Sequence, residues 1–169
     1  MPNWCNNTMH VSGDPEKVAK FVEQHTAVEL DHEGTPIGET VLDFNAVVPM
    51  PEHLKNTKAP SDDGSENWYD WSVANWGTKW GACDADHDYK KGSANVIYHF
   101  DSAWSPPVDW YEKAIQAYPD LDFYLEWEEG GMGFAGRLAG TKGIVGGIEE
   151  WTIIWDEEAN EYERIKLPQ

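Results

Sequence analysis

The nine residues LDFYLEWEE (121–129) alternate with a period of two. Leu121, Phe123, Leu125 and Trp127 fall on one side, and Asp122, Tyr124, Glu126 and Glu128 on the other. Successive side chains of a strand point to opposite faces, so this stretch requires a sheet with one face covered and the other wet. Two helices are available as the cover. In GDPEKVAKFVEQH (13–25), Asp14 is a natural N-cap, Pro15 suits the first helical position, and Val18, Phe21 and Val22 recur at helical spacing. In SPPVDWYEKAIQAYPD (105–120), Ser105 is the expected cap, and Trp110, Ala114, Ile115 and Tyr118 share one side. Each helix follows a strand, WCNNTMHVS (4–12) and SANVIYHFDSAW (93–104). The order predicts an α+β fold, a ferredoxin-like split βαβ sandwich with helices on one face of an antiparallel sheet.

The rest is read as additions to one domain over 1–169, with an insert at about 48–94 and added strands at about 131–167. Residues 26–40 are acidic and broken by Gly34, Pro36 and Gly38. VLDFNAVVPMPEHL (41–54) predicts a short strand through Phe44, halted by Pro49 and Pro51. ENWYDWSVANWG (66–77) predicts a short helix stopped by Gly77. Residues 84–92 read as a solvated acidic turn, and GGMGFAGRLAG (130–140) as a tight turn with close backbone packing. EEWTIIWDEEANEYERIKL (149–167) reads as a hairpin around Glu158–Asn160. The inserted helical and loop region and the C-terminal hairpin complete the fold class.

Five stretches carry a family likeness: PNWCNNTMHVSGDPE (2–16), FNAVVPMPEHL (44–54), WYDWSVANWGTKW (68–80), FDSAWSPP (100–107) and LEWEEGGMGFAG (125–136). Occurring in this order, they resemble the YubB-type ferredoxin-like domain family of phage and plasmid proteins. The resemblance implies the same architecture, an origin in a mobile element and a bacterial host cell. It implies no reaction.

The formal charge of −19, from 31 acids against 12 bases, repels phosphate and argues against direct binding of nucleic acid. It suits a protein partner with a basic surface. No apolar run approaches eighteen residues, so no membrane is expected, and a cytoplasmic location follows. Two cysteines without a CxxC spacing indicate neither a disulfide framework nor a zinc knuckle.

Candidate chemistry is sparse. Cys5, His10, Cys83 and His87 are zinc-ligand types, but their spacing pairs poorly. Asp84, Asp86 and Asp88 begin like a calcium loop, yet Tyr89 stands where glycine is needed and Asn95 where the closing glutamate belongs. Glu128 and Glu129 are strand neighbours and face opposite ways. Pro2 would become a secondary-amine base only on loss of Met1. No metal and no cofactor is expected.

Four of ten tryptophans lie between Trp68 and Trp80. Trp68, Trp71 and Val73 are expected in the core. Trp76, Thr78, Lys79 and Trp80 lie at a turn, with one cation between two indoles. Trp104, Met132 and Phe134 also sit at element ends, so these seven residues could rim one binding site. The expected function is a non-enzymatic accessory protein binding a host or mobile-element protein through an acidic surface, including an anti-defence role. The alternative is a small-molecule binder or enzyme with a Trp/Lys-lined pocket.

Overall fold

A strand flanked on both sides by longer-range partners is the centre of this molecule. In the computed structural model, which describes residues 2–30, 35–62, 64–158 and 160–167, that strand is β1 (Trp4–Gly13). It is followed by α1 (Pro15–His25), a small hairpin of β2 (Ala27–Leu30) and β3 (Pro36–Thr40), and α2 (Trp68–Trp76). Then come β4 (Cys83–His87), β5 (Asn95–Ala103), α3 (Val108–Ala117) and β6 (Leu121–Glu129). A meander of β7 (Phe134–Thr141), β8 (Ile144–Asp156) and β9 (Glu161–Lys166) ends the chain. The main sheet has the order β4-β5-β1-β6-β7-β8-β9, antiparallel throughout.

Strand β1 lies between β5 and β6, with Met9 opposite both Tyr98 and Leu125. The β5-α3-β6 unit is therefore split by β1, which is the expected ferredoxin-like arrangement. Cys5, Met9 and Val11 point to the covered face, as do Val96, Tyr98, Leu121, Phe123 and Leu125, all at most 3% exposed. Both helices pack there: Phe21 of α1 meets Tyr98 and Phe123 edge-on, and Tyr111 of α3 meets the same Phe123. Burying each such side chain contributes about 1.5–3 kcal/mol. Helix α1 starts as its sequence requires, with the Asp14 carboxylate accepting from the Glu16 N–H at 2.9 Å.

Several local expectations are corrected. Ser105 does not cap α3; its hydroxyl donates to the Gly77 carbonyl at 2.6 Å, tying the end of α2 to the start of α3. Residues 41–44 form no strand. Asp43 instead caps a 3-10 turn at Phe44–Ala46, which carries Phe44 onto Trp110 with ring centres 4.3 Å apart. The acidic stretch begins as strand β4, whose Asp84 and Asp86 alternate outward from an edge, and Asp88 just past it accepts from the Ile97 N–H at 2.8 Å. That edge admits carboxylates because its outer positions stay wet, and charge there discourages pairing with other chains. Between α1 and β4 the described residues lie outside the main sheet, whereas 83–94, expected within the insert, supplies β4 and the turn into β5.

Helix α2 buries Ser72 and Trp76 rather than Trp68, Trp71 and Val73. Val73 is 43% exposed, and Trp71 is half-buried against Trp76. Gly77 ends α2 in the left-handed region (φ 79°), where a Cβ would press on Asp109 and Val108 of α3. Much of the glycine-rich run is strand β7. Gly136 leaves room for the Trp127 ring and Gly140 for Ile115, since a Cβ at either would lie within 2.4 Å of them.

Candidate functional site

The seven residues expected to form a site come to one end of the sheet, where β1 starts. The Thr78 hydroxyl donates to the Ala103 carbonyl at 2.9 Å, and Trp104 donates its backbone N–H to Asn3 at 2.9 Å. Trp80 packs against Trp4 with ring centres 6.1 Å apart. The Glu129 carboxylate, 2% exposed, accepts from the N–H groups of Gly131 and Met132 and turns the chain from β6 into β7.

These residues share a neighbourhood without converging on a common space. Trp76 is 6% exposed and donates its ring N–H to Val48; Thr78 is 1% exposed. Both serve the interior. The Lys79 ammonium lies over three rings, 4.3 Å from Trp80, 5.7 Å from Tyr69 and 6.0 Å from Trp68. It fills the aromatic enclosure itself, a favourable cation–π arrangement. Trp104 and Met132 are open to solvent, and Phe134 is half-buried beside the core.

The metal-ligand types are also separated. Cys5 and His10 are an odd number of residues apart on β1 and occupy opposite faces. Cys5 is fully buried, and burial pushes its thiol up to about 12. Among the described residues no three His, Cys, Asp or Glu side chains group to hold a metal ion.

Among the described residues no helix covers the other face of the sheet, and its side chains form a second candidate. From β4 to β6 it presents Asp86, His99, Asp101, Asn6, Thr8, His10, Asp122, Tyr124, Glu126 and Glu128. Arg137, Glu149, Trp151, Arg164 and Lys166 continue it across β7 to β9. Asn6 donates to Asp101 at 2.6 Å, and the Tyr124 hydroxyl donates to Glu126 at 2.7 Å. Burial, and then that bond to Glu126, raises the Tyr124 phenol above its usual range.

The cations on this face are already committed. Arg164 pairs with Glu128, while Arg137 and Lys166 both reach Glu149, at 2.8 and 2.7 Å. Lys166 and then Arg137 hold the Glu149 carboxyl below its ordinary value. Arg137 also stacks over Trp151, 5.4 Å from the ring centre. Between the acidic and the paired halves runs an open groove of about 390 Å³, walled by Thr8 and Glu126 on one side and Arg137 and Trp151 on the other. Asp86, Asp122 and Glu126 have no cationic partner among the described residues.

Residues 75–167, more than half of the 169, match the family model described as a ferredoxin-like domain in Api92-like protein. The chain belongs to that family. The crystal structure of protein api92 from Yersinia pseudotuberculosis is similar, with a TM-score of 0.70 at 10% identity, over 88% of this chain and 97% of that one. At that identity the likeness concerns the fold. No curated protein matches.

The acidic row of β6 is legible in LDFYLEWEE, whereas Arg137 is not. Its signal was the alternation of Arg137 with Gly136 and Leu138, hidden because glycines in a run resemble a turn more than a strand.

Proposed function

We propose that this protein is a non-enzymatic accessory protein of a phage or plasmid, acting in the cytoplasm of a bacterial host. In this reading it binds a basic surface of a host or mobile-element protein through the open face of its sheet. The supporting observation is the charge arrangement of that face. Among the described residues Asp86, Asp122 and Glu126 lack cationic partners, while Arg137, Arg164 and Lys166 are each held by a carboxylate. An approaching lysine or arginine meets carboxylates that lose no existing ion pair, and the net charge of −19 speeds its approach. The same field disfavours phosphate backbones. The phage or plasmid setting rests on the sequence likeness to the YubB-type family, and opposition to a host defence system is one role such binding would serve.

The rival reading, a small-molecule pocket at Trp76, Lys79, Trp80 and Trp104, has less support. Lys79 occupies the space between the rings that a ligand would need.

The test is capture from lysate of a native bacterial host, followed by mass spectrometry, with the protein and an Asp86→Lys/Asp122→Lys/Glu126→Lys variant. A specific partner should be retained by the unaltered protein at low salt. It should be released near 1 M salt, where screening acts within about 3 Å, and be lost from the variant. Capture that survives both high salt and charge reversal, yet disappears with Lys79→Ala, would replace this reading with the pocket.

A further inference from the structure

The helix layer stops short of the last hairpin. Helix α3 reaches the start of β8, where Val145 packs on the core and Gly143 passes close to Pro119. Farther along, the helix-side positions of β8 and β9 have no helix above them among the described residues. The register places Ile154, Glu150, Ile165 and Glu163 on that side, with Glu161 farther along, and alternation adds Leu167 beside Glu150. Ile154, Ile165 and Leu167 are 39%, 46% and 43% exposed. An apolar row left open beside a well-covered one marks a surface for another molecule.

Charge decides which kind. The cations of the hairpin, Arg164 and Lys166, project from the opposite face, where Glu128 and Glu149 hold them. On the helix side the hairpin offers Glu150, Glu161 and Glu163 around its apolar residues. Size points the same way. Two adjacent strands and their side chains span roughly the 10 Å width of one helix, and the rows from Leu167 to Ile154 run roughly 14 Å, about ten helical residues.

We propose that the helix-side face of the β8–β9 hairpin docks an amphipathic helix of a partner protein, apolar on one side and basic along its flanks. It would take the next place in the layer formed by α1 and α3. This surface lies on the opposite side of the sheet from the acidic face discussed above and does not depend on it.

A synthetic amphipathic helix of about fourteen residues, with leucines at i, i+3, i+4 and i+7 and lysines on the flanks, serves as the probe. It is compared with a glutamate-flanked version and with a scramble of equal charge. The expected result is binding of the lysine-flanked helix alone, with amide NMR shifts centred on 150–154 and 163–167. Ile154→Asp/Ile165→Asp should weaken it about tenfold or more. Glu150→Lys/Glu163→Lys should do likewise without touching any packing, and the triple lysine variant of the open face should bind normally. Failure to bind, equal binding of the scramble or the glutamate version, shifts on the open face, or indifference to both hairpin variants would each overturn the proposal. So would self-association through the patch in sedimentation, which would make a second copy the occupant.

Discussion

Strands β6 and β9 belong to one antiparallel sheet, yet burial alternates cleanly along β6 and every residue of β9 is exposed. The difference lies above the strands rather than within them. Phe123 of β6 is met by Phe21 and Tyr111 from two helices, while Ile165 of β9 has no helix over it among the described residues. Alternation tells a chain which residues share a face, but a second layer decides whether that face becomes core. The molecule is thus a stable sandwich with a meander extending past its cover, and substitutions should separate the two.

The largest effect is expected at Trp110. It is fully buried, stacks on Phe44 and donates its ring N–H to the Phe44 carbonyl at 3.0 Å. Trp110→Ala should cost about 3–5 kcal/mol, because it opens a cavity and removes the buried indole donor from a carbonyl that keeps only the Val47 and Val48 N–H groups. Urea unfolding measures it. A loss under about 1 kcal/mol would mean that the segment carrying Phe44 is not part of the cooperative core.

Next comes Gly136, where an added Cβ would lie 2.1 Å from the Trp127 ring. Trp127 is 4% exposed and cannot swing into solvent without giving up its packing. Gly136→Ala should cost about 1–3 kcal/mol by overpacking. An unchanged melting temperature would show that β7 lies farther from the ring than the geometry requires.

This same glycine explains part of what the sequence concealed. The central strands and both helices were readable because their apolar periods agree with their caps, as at Asp14. Strand β7 was not, since Gly136 and Gly140 exist to receive side chains from Trp127 and Ile115, which are remote in sequence. Strand β4 is hidden for another reason: a five-residue edge strand with two outward aspartates looks like a solvated turn. The buried face of α2 departs from its sequence pattern because neighbours outside the helix, Phe44 and Val48, select Trp76 for burial. The candidate site followed the same division. Alternation disclosed Asp122, Tyr124 and Glu126, whereas the enclosure of Lys79 by Trp80, Tyr69 and Trp68 depends on how a turn folds back on a helix.

A smaller, pH-dependent effect is expected at His25, which is fully buried at the end of α1. Its Nδ1 bonds the Phe21 carbonyl at 2.8 Å, and its Nε2 has no partner among the described residues. Phe21, Trp110 and Tyr118 surround the ring, and the opposing pull of the Phe21 carbonyl and Asp43 is weaker than burial, which lowers the imidazole's pKa. The unfolded ring gains a proton near pH 6.5 while the folded ring does not, so the unfolded state binds more protons and stability falls as pH drops below that value. The slope from this one group is at most about 1.4 kcal/mol per pH unit. Comparing melts of the unaltered protein and His25→Phe between pH 7 and 5 should show a shallower fall for the variant. Identical slopes would mean that the ring is solvated in the fold.

The smallest effect should come from the hairpin. Ile165 is 46% exposed, and threonine keeps the β-branch that suits a strand. With little packing to lose, Ile165→Thr should change stability by no more than about 0.5 kcal/mol, as surface substitutions usually do. The same change should still weaken a helix docked on the hairpin, because it removes apolar area that only the complex buries. Stability and binding would then respond in opposite proportions at Trp110 and Ile165. A loss above about 1.5 kcal/mol for Ile165→Thr in the isolated protein would break the contrast, since a residue that costly must already be covered within the fold or by a second copy.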